Sequence, residues 1–359
     1  MTAATGLTAL PAGFHAVRVG EVARLTDDAV AITFEVPDGI DTFDFAPGQS
    51  LTLRRVIGGV DERRTYSICA PMGGQPRIGV REIPDGLFSS WLVHDLRPGD
   101  MVEVHAPAGS LRANPAQAAH HLCIAAGSGI TPLLSIASSV LANPASTVTM
   151  LYGNRTTASV MFAEELADLK NEYAERFDLI HVLSREPRDV ELFSGRLDAT
   201  RLRAILAGLV PVTAMDHVWL CGPLGMVADA RDVLAELGIA DDKIHAELFY
   251  VDEPPPQLRH LDPALDGAAS EVTVILDGRS TASAVPRDRT LLDSAQQRRG
   301  DLPFACKGGV CGTCRARLCA GEVDMVRNYA LEPGEVEAGY VLTCQSFPMS
   351  DRVVLDYDA

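Results

Sequence analysis

Five of the eight cysteines fall after residue 300, and four of these have a spacing that suits metal ligation. Cys306, Cys311 and Cys314 are separated by four and two residues, and Cys344 follows 29 residues later. Thiolates are soft iron ligands, and plant-type [2Fe–2S] centres use this pattern. A four-cysteine zinc site is the alternative, but zinc motifs favour two C-x2-C pairs and this chain has one. Cys319 breaks the pattern, and we expect it to be a small buried apolar residue.

A second group of residues has the chemistry to hold a flavin. Arg64, Tyr66 and Ser67 stand close together, so an Arg can pair with a pyrophosphate, a ring can cover the isoalloxazine and a hydroxyl can bond its reactive nitrogen. Gly86 and Ser89 open a helix, whose N-terminus suits a pyrophosphate and so favours FAD. The alternative for Arg64, Tyr66 and Ser67 is an ordinary edge strand. The alternative for Ser89 is a serine that only caps the helix.

A glycine-rich loop lies between a predicted strand and a predicted helix. Gly127 and Gly129 would let a phosphate approach the backbone, and Thr131 and Pro132 fall in the first turn of the helix. Proline replaces the third glycine of the usual dinucleotide pattern, so an ordinary turn is the alternative. The strand–loop–helix context favours a nicotinamide-cofactor loop.

Two further strands of the same unit end in residues that could reach the reacting rings. Cys221 and Gly222 follow the fourth strand, and Glu247 and Phe249 lie at the end of the fifth. Ligands bind at the carboxyl ends of strands in open α/β sheets, so Cys221 is expected near the nicotinamide and Phe249 over the flavin. With Ser67, these two residues form the predicted catalytic group.

The choice between the two nicotinamide cofactors depends on the segment after the third strand. Ser184 and Arg185 provide a hydroxyl and a cation that suit the 2′-phosphate of NADPH, with Asn154 and Arg155 as neighbours after the second strand. A solvated loop is the alternative. The pattern favours NADPH over NADH.

These residues require three folded units. We predict an antiparallel β-barrel flavin domain over 1–115, an α/β parallel-sheet nucleotide domain over 116–252, a proline-rich linker over 253–268 and a [2Fe–2S] domain over 269–359. The middle unit shows five strands alternating with four helices, and Asp277–Gly278 marks a hairpin in the last unit. The six barrel strands are expected at 14–25, 30–36, 51–56, 65–69, 77–83 and 101–106, with one helix near 87–96.

Composition excludes several classes of function. A net charge of −17 argues against nucleic-acid binding, which needs clustered basic residues. The sequence contains no uncharged apolar run of about 18 residues, so no membrane span is predicted. The N-terminus lacks a basic region followed by an apolar one, and we therefore expect a cytoplasmic location.

The order of these motifs resembles the ferredoxin–NADP reductase superfamily with a plant-type ferredoxin domain, of β-grasp type, fused at the C-terminus. The segments IAAGSGITP, LYGNRT, LPFACKGGVCGTC and NYALEPGEVEAGYVLTCQ are similar to one branch, the reductase subunits of phenylacetyl-CoA epoxidase complexes. This resemblance implies electron flow from NADPH through FAD and [2Fe–2S] to the di-iron oxygenase subunits that epoxidise phenylacetyl-CoA in aerobic phenylacetate degradation.

The resemblance also implies roles for individual residues. The flavin motif comprises Arg64, Tyr66, Ser67, Gly86 and Ser89. The nicotinamide cofactor is expected at Gly127, Gly129, Thr131, Pro132, Ser184, Arg185, Cys221 and Gly222, and the cluster ligands are Cys306, Cys311, Cys314 and Cys344.

Three other functions fit the same motifs. The chain could serve another oxygenase, such as a Rieske ring-hydroxylating dioxygenase. It could instead be an iron–sulfur sensor or binding module without enzymatic activity, a hypothesis that the intact flavin and nucleotide motifs oppose. A zinc-stabilised scaffold is the third.

Overall fold

The computed structural model describes residues 13–36, 41–84, 86–250 and 269–359. The linker predicted at 253–268 lies outside the described residues. Strands and helices are numbered below in chain order.

The first unit is a six-stranded antiparallel sheet of order β4-β3-β6-β1-β2-β5. Its strands are β1 (Phe14–Thr26), β2 (Ala29–Glu35), β3 (Ser50–Ile57), β4 (Val60–Ser67), β5 (Arg77–Arg81) and β6 (Met101–His105), with helix α1 (Leu87–His94) after β5. Alternating apolar residues fill one face, and the helix residues Phe88 and Leu92 complete that core. The predicted antiparallel architecture of the first unit is confirmed by this sheet.

Strand β4 begins five residues earlier than the sequence predicts. It pairs with β3 from Ser50 opposite Ser67 to Ile57 opposite Val60, across a turn at Gly58 and Gly59. Both glycines have positive φ, which is the conformation of a tight hairpin turn. The charged residues in the first half of β4 conceal the strand, because they lack the apolar alternation that sequence reasoning looks for.

The second unit is a five-stranded parallel sheet of order β11-β10-β7-β8-β9, with helices on both faces. The strands are β7 (His120–Ala126), β8 (Thr147–Asn154), β9 (Phe177–Leu183), β10 (His217–Pro223) and β11 (Ile244–Tyr250), and the helices are α2 (Ile130–Val140), α3 (Ala163–Glu172), α4 (Ala199–Leu209) and α5 (Leu224–Glu236). The five strands and four helices are therefore as predicted. Since all strands run the same way, their carboxyl ends meet at one edge of the sheet.

The third unit is a mixed sheet of order β13-β12-β18-β14-β16, with a separate β15–β17 pair. The strands are β12 (Ala269–Leu276), β13 (Arg279–Pro286), β14 (Arg315–Ala320), β15 (Val323–Met325), β16 (Tyr340–Leu342), β17 (Ser346–Pro348) and β18 (Arg352–Asp356), and the helices are α6 (Leu291–Ala295) and α7 (Pro333–Glu337). The hairpin turns at Asp277 and Gly278, both with positive φ, as the sequence predicts.

The first two units share a packed seam. Barrel residues Ala29 and Ala31 belong to the same apolar cluster as helix α2 and strands β7 and β8. Arg77 on β5 donates two hydrogen bonds of 2.8 Å to the Glu165 carboxylate on α3. The Ser135 hydroxyl on α2 donates to the Ala70 carbonyl at 2.7 Å. This seam holds the end of β4 close to the carboxyl edge of the parallel sheet.

No helix in the described part of the chain is long and apolar enough to span a membrane. The 13 residues of α5 extend only about 20 Å at the usual rise per residue.

The carboxyl edge of the parallel sheet includes one very close backbone contact. A Cβ atom at Gly129 would lie 2.1 Å from the carbonyl oxygen of Cys221 at the end of β10. The loop before α2 can therefore lie this close to β10 only because residue 129 has no side chain.

We expect Gly129→Ala to separate the α2 loop from β10 and to lower the free energy of unfolding by about 1–3 kcal/mol, as overpacking does. Denaturant titration would measure this. Gly208→Ala in α4 is the matched control, because no atom lies within 4 Å of its Cβ position and alanine favours a helix interior. Equal stability of the two variants would contradict the close contact.

Candidate functional site

The four cysteines of the spaced motif come together in the third unit. Cys306, Cys311 and Cys314 lie on the loop between α6 and β14, and Cys344 follows β16. The side chains form two hydrogen-bonded pairs, Cys306 with Cys311 and Cys314 with Cys344. Charge interactions connect the two pairs, so the four sulfurs form one group.

Backbone N–H groups converge on this group. The amides of Gly308 and Cys311 donate to the Cys306 sulfur at 3.3 and 3.4 Å. The Cys311 thiol and these amides lower the pKa of Cys306 to about 5. The Cys314 thiol likewise lowers the pKa of Cys344, to which the Gln345 amide also donates at 3.4 Å. One thiol of each pair is thus shifted towards the thiolate that a metal ligand requires, while hydrogen bonds to Cys306 and Cys344 raise the pKa values of Cys311 and Cys314 well above the usual range.

The paired arrangement of the four cysteines is the one that a two-iron cluster needs. Across the described ranges, no three His, Cys, Asp or Glu side chains are placed to bind one metal ion together. A [2Fe–2S] centre takes four cysteines, two on each iron. Two adjacent thiol pairs therefore suit the ligand set of such a cluster.

The structure corrects one expectation for this domain. Cys319 on β14 is exposed rather than buried. Its side chain points to the outer face of the sheet, because residues alternate between faces along a strand and Leu318 and Ala316 face inward.

The flavin motif lies at the end of β4. Tyr66 is half-buried, with its ring 6.3 Å from that of Phe88. Arg64 is exposed and donates to the Glu62 carboxylate at 3.0 Å and to the Arg63 carbonyl at 2.7 Å. The Arg64 guanidinium is therefore at the surface, where it can also reach an anionic ligand.

A pocket of about 450 Å³ lies beside the start of α1. Gly86, Leu87, Arg55 and Trp91 contribute to its lining. Ser89 supports the loop rather than facing the pocket: its hydroxyl accepts from the Ile83 amide at 3.1 Å and donates to the Gly86 carbonyl at 3.2 Å. The helix N-terminus and the Arg55 guanidinium give the pocket groups that suit an anionic pyrophosphate.

The predicted nicotinamide loop joins β7 to α2. Gly127 has positive φ and its carbonyl accepts a hydrogen bond from the Tyr152 hydroxyl at 3.0 Å. The buried Thr131 hydroxyl donates to the Ser128 carbonyl at 3.0 Å, and Pro132 is buried in the first turn of α2. Helix α2 thus begins at the carboxyl edge of the sheet, directly after β7 and the glycine-rich turn.

Strands β10 and β11 bring Cys221 and Glu247 side by side in parallel register. The Ser67 hydroxyl at the end of β4 donates to the Glu247 carboxylate at 3.2 Å, so residues of two domains meet here. Desolvation raises the pKa of Glu247 to about 7 and the pKa of the buried Cys221 thiol well above its usual range. Gly222 is next to Met226, and Phe249 packs against the apolar cluster at the barrel seam.

The segments after β8 and β9 are paired through their backbones. The Ser184 amide donates to the Asn154 carbonyl at 2.8 Å, and the Arg185 amide donates to the Arg155 carbonyl at 2.7 Å. Both arginine side chains are exposed. The Asn154 amide group is buried, and neither its nitrogen nor its oxygen has a hydrogen-bond partner among the described residues. A polar ligand at this edge can satisfy it.

Sequence reasoning placed Glu247 at a strand end without a role, and it missed Arg63 altogether. Arg63 is buried between the first and third units and contacts both. The sequence signal for Glu247 is a carboxylate at the carboxyl end of a buried strand. For Arg63 the sequence gives no such signal, since its neighbours Asp61, Glu62 and Arg64 are also charged.

Family models match all three units. They are an oxidoreductase FAD-binding domain over residues 16–112, an oxidoreductase NAD-binding domain over 123–232 and a 2Fe-2S iron-sulfur cluster binding domain over 274–349. The chain is thus an oxidoreductase with flavin, nicotinamide and cluster domains in that order.

Full-length relatives share this organisation. One of the subunits of 1,2-phenylacetyl-CoA epoxidase from Escherichia coli is 41% identical over 96% of this chain and 98% of its own. The ferredoxin reductase component of 3-ketosteroid-9-alpha-monooxygenase from Mycobacterium tuberculosis is 36% identical over 97% of this chain and 98% of its own.

A solved structure has the same arrangement of domains. Phthalate dioxygenase reductase, described as a modular structure for electron transfer from pyridine nucleotides to [2Fe-2S], matches with a TM-score of 0.61 and 25% identity. The match covers 96% of this chain and 98% of that one. The cysteine pairs, the two-domain site around Ser67 and Glu247 and these full-length matches lead to one conclusion: the chain belongs to the ferredoxin reductase family of FAD-, nicotinamide- and [2Fe–2S]-binding oxidoreductases that contains the phenylacetyl-CoA epoxidase reductase subunits.

Proposed function

We propose that this chain takes hydride from NADPH and passes electrons singly to a di-iron oxygenase that epoxidises phenylacetyl-CoA. The observation that carries the electron route is the presence, in one chain, of two adjacent thiol pairs and a two-domain site built from Ser67, Cys221 and Glu247. The choice of partner is supported by 41% identity along nearly the whole length of one epoxidase component.

The residues around Glu247 prepare the hydride-transfer site. When bound, FAD supplies a two-electron acceptor that can release electrons one at a time, and the cluster supplies a one-electron acceptor. Ser67 holds a hydroxyl at the seam, where it donates to Glu247 and would be available to the flavin ring when FAD is bound. Cys221 keeps its thiol neutral and small beside the nicotinamide, because burial disfavours the thiolate. Phe249 excludes water from the same seam.

The cofactor preference follows from the paired segments after β8 and β9. Arg155 and Arg185 expose two guanidiniums on adjacent backbone segments, and Ser184 adds a hydroxyl. Guanidinium groups bind phosphate through paired charge-assisted hydrogen bonds. These residues favour NADPH, whose 2′-phosphate is the group that NADH lacks.

A second partner class has support of its own. The 36% identity to the reductase component of a ketosteroid monooxygenase also spans almost the whole chain. The cluster and flavin motifs of this chain do not favour either partner, and reconstitution distinguishes the two.

The proposed function is tested by mixing the purified protein with purified epoxidase oxygenase subunits, NADPH, oxygen and phenylacetyl-CoA. We expect product that depends on NADPH and oxygen. Cys311→Ala should abolish product formation, because it removes a cluster ligand, while flavin reduction by NADPH continues. Cys319→Ala is the matched control, an exposed cysteine of the same domain outside the thiol pairs, and should retain activity.

Two results would contradict the proposal. Product formation by a cluster-free Cys311→Ala protein would exclude the cluster from the route. Reduction of flavin and cluster without product would leave the reductase intact but assign it to another oxygenase.

We expect Arg185→Ala to raise the KM for NADPH by roughly tenfold or more, the usual consequence of losing a charged hydrogen bond, and to leave the KM for NADH unchanged. Steady-state kinetics with an artificial electron acceptor measure both constants. Arg188→Ala, an exposed arginine on the same loop, should change neither. Equal effects on both cofactors would remove Arg185 from the 2′-phosphate site.

Glu247 should make the stability of the flavin-free protein depend on pH. Its pKa is raised from 4.5 to about 7 in the folded state, so the folded chain binds more protons between these values and stability falls as pH rises through this range. Glu247→Gln should therefore be more stable than the wild type above pH 7, by about 3 kcal/mol, and similar at pH 4.5.

Denaturant titrations at pH 5 and pH 8 measure this difference. Glu186→Gln should change stability in the opposite direction at pH 8, because hydrogen bonds from Thr157 lower the pKa of Glu186. An equal gain for Glu247→Gln at both pH values would show that Glu247 is not the titrating group.

A further inference from the structure

Arg63 is the largest side chain among the fully buried residues of the described chain, with 2% of its surface exposed. It lies in the middle of β4. Its Nε and Nη2 donate to the two oxygens of Asp61 at 3.2 and 3.0 Å. A buried guanidinium is stable only when its N–H groups are satisfied, so the remaining partners of Arg63 matter.

Those partners belong to the third unit. Arg63 donates to the carbonyl of Leu302 at 3.3 Å and to the carbonyl of Gly300 at 3.4 Å. Its guanidinium carbon lies 4.4 Å from the ring centroid of Phe304 and 5.1 Å from that of Phe14 in the first unit. One cation is therefore held between two aromatic rings, one from each domain.

The segment that Arg63 contacts leads directly to the cluster. Phe304 is two residues before Cys306, the first cluster ligand, and Gly300 is six residues before it. On β4, Ser67 is four residues after Arg63, and both side chains lie on the same face because the period of a strand is two. Arg63 thus connects the strand that carries the flavin motif to the loop that carries the cluster.

The same segment is anchored from inside its own domain by another arginine. Arg299 donates to the carbonyls of Leu276 and Arg279 at 2.8 and 2.7 Å and pairs with Asp301. Arg299 thus holds the segment that precedes Cys306 through these contacts within its own domain. Substitutions of Arg63 and Arg299 can therefore be compared, because Arg63 makes contacts between two domains and Arg299 makes contacts within one domain.

We propose that Arg63 is a positioning residue that docks the cluster domain against the flavin domain and so sets the rate of electron transfer from flavin to cluster. The step moves one electron from the reduced flavin to one ferric ion of the cluster, and no bond forms or breaks. The inference rests on the proposed electron route but not on the identity of the oxygenase. Undocking exposes the guanidinium to water and removes two carbonyl partners and one ring at once, so the docked arrangement is geometrically specific.

The test is Arg63→Gln in the full-length holoprotein. Rapid mixing with NADPH separates flavin reduction from the later reduction of the cluster by their absorbance. We expect an unchanged rate of flavin reduction and cluster reduction slowed roughly tenfold, the factor for losing one hydrogen bond to a charged group. X-ray scattering in solution should show a larger radius of gyration, and the spectrum of the reduced cluster should not change.

Arg299→Gln is the matched control. It should lower the melting temperature of the cluster domain but leave the scattering and the rate of cluster reduction as in the wild type. Arg63→Lys should recover part of the rate, since it keeps the charge and one donor. If Arg63→Gln does not fold, Phe304→Leu removes the aromatic contact alone and should slow the same step by a smaller factor.

Three results would overturn the proposal. One is wild-type cluster reduction in a folded Arg63→Gln protein. Another is a slowed flavin reduction of the same size, which would place the effect at the flavin. The third is an equal loss of rate in Arg299→Gln, which would attribute it to the cluster domain alone. If all these results are as expected but the protein does not support product formation by the epoxidase, only the assignment of the oxygenase partner is contradicted.

Discussion

Strand β4 is in contact with both neighbouring domains, and the arrangement of the redox site depends on it. Arg63 in its middle reaches the backbone of the cluster domain, and Ser67 at its end donates to Glu247 of the nucleotide domain. Both side chains lie on one face of the strand. A shift of β4 by one residue would turn both side chains to the opposite face of the sheet. The register set by the Gly58–Gly59 hairpin therefore determines the contacts of β4 with both other domains.

The electrostatic environment differs along the electron route. At the Glu247 seam, burial favours neutral groups, since it raises the pKa values of both Glu247 and Cys221. At the cluster loop, the Cys311 thiol and then the backbone amides favour the thiolate of Cys306, since they lower its pKa. A neutral surrounding suits hydride transfer between flat rings, and a loop rich in N–H donors suits an anionic cluster.

Sequence reasoning succeeded where the signal is local. The hairpin at Asp277–Gly278 and the five alternating strands and helices of the nucleotide domain depend on residues close in the chain, and the structure has them as predicted. It was wrong where charge concealed a strand, as at the start of β4, and where Cys319 was expected to be buried. The roles of the individual cofactor-contacting residues stay predictions, because position on a strand end does not by itself define a ligand contact.

The sequence by itself determined the order of the three domains, and it predicts the set of cluster cysteines, because iron ligation requires fixed residue types at fixed short spacings. Only the tertiary structure decided which thiols pair, and which charged residues are buried. Cys344 joins Cys314 across 29 residues of intervening chain, and Arg63 meets Leu302 across 239 positions. Such contacts depend on how separate units pack, and neither composition nor local periodicity carries that information.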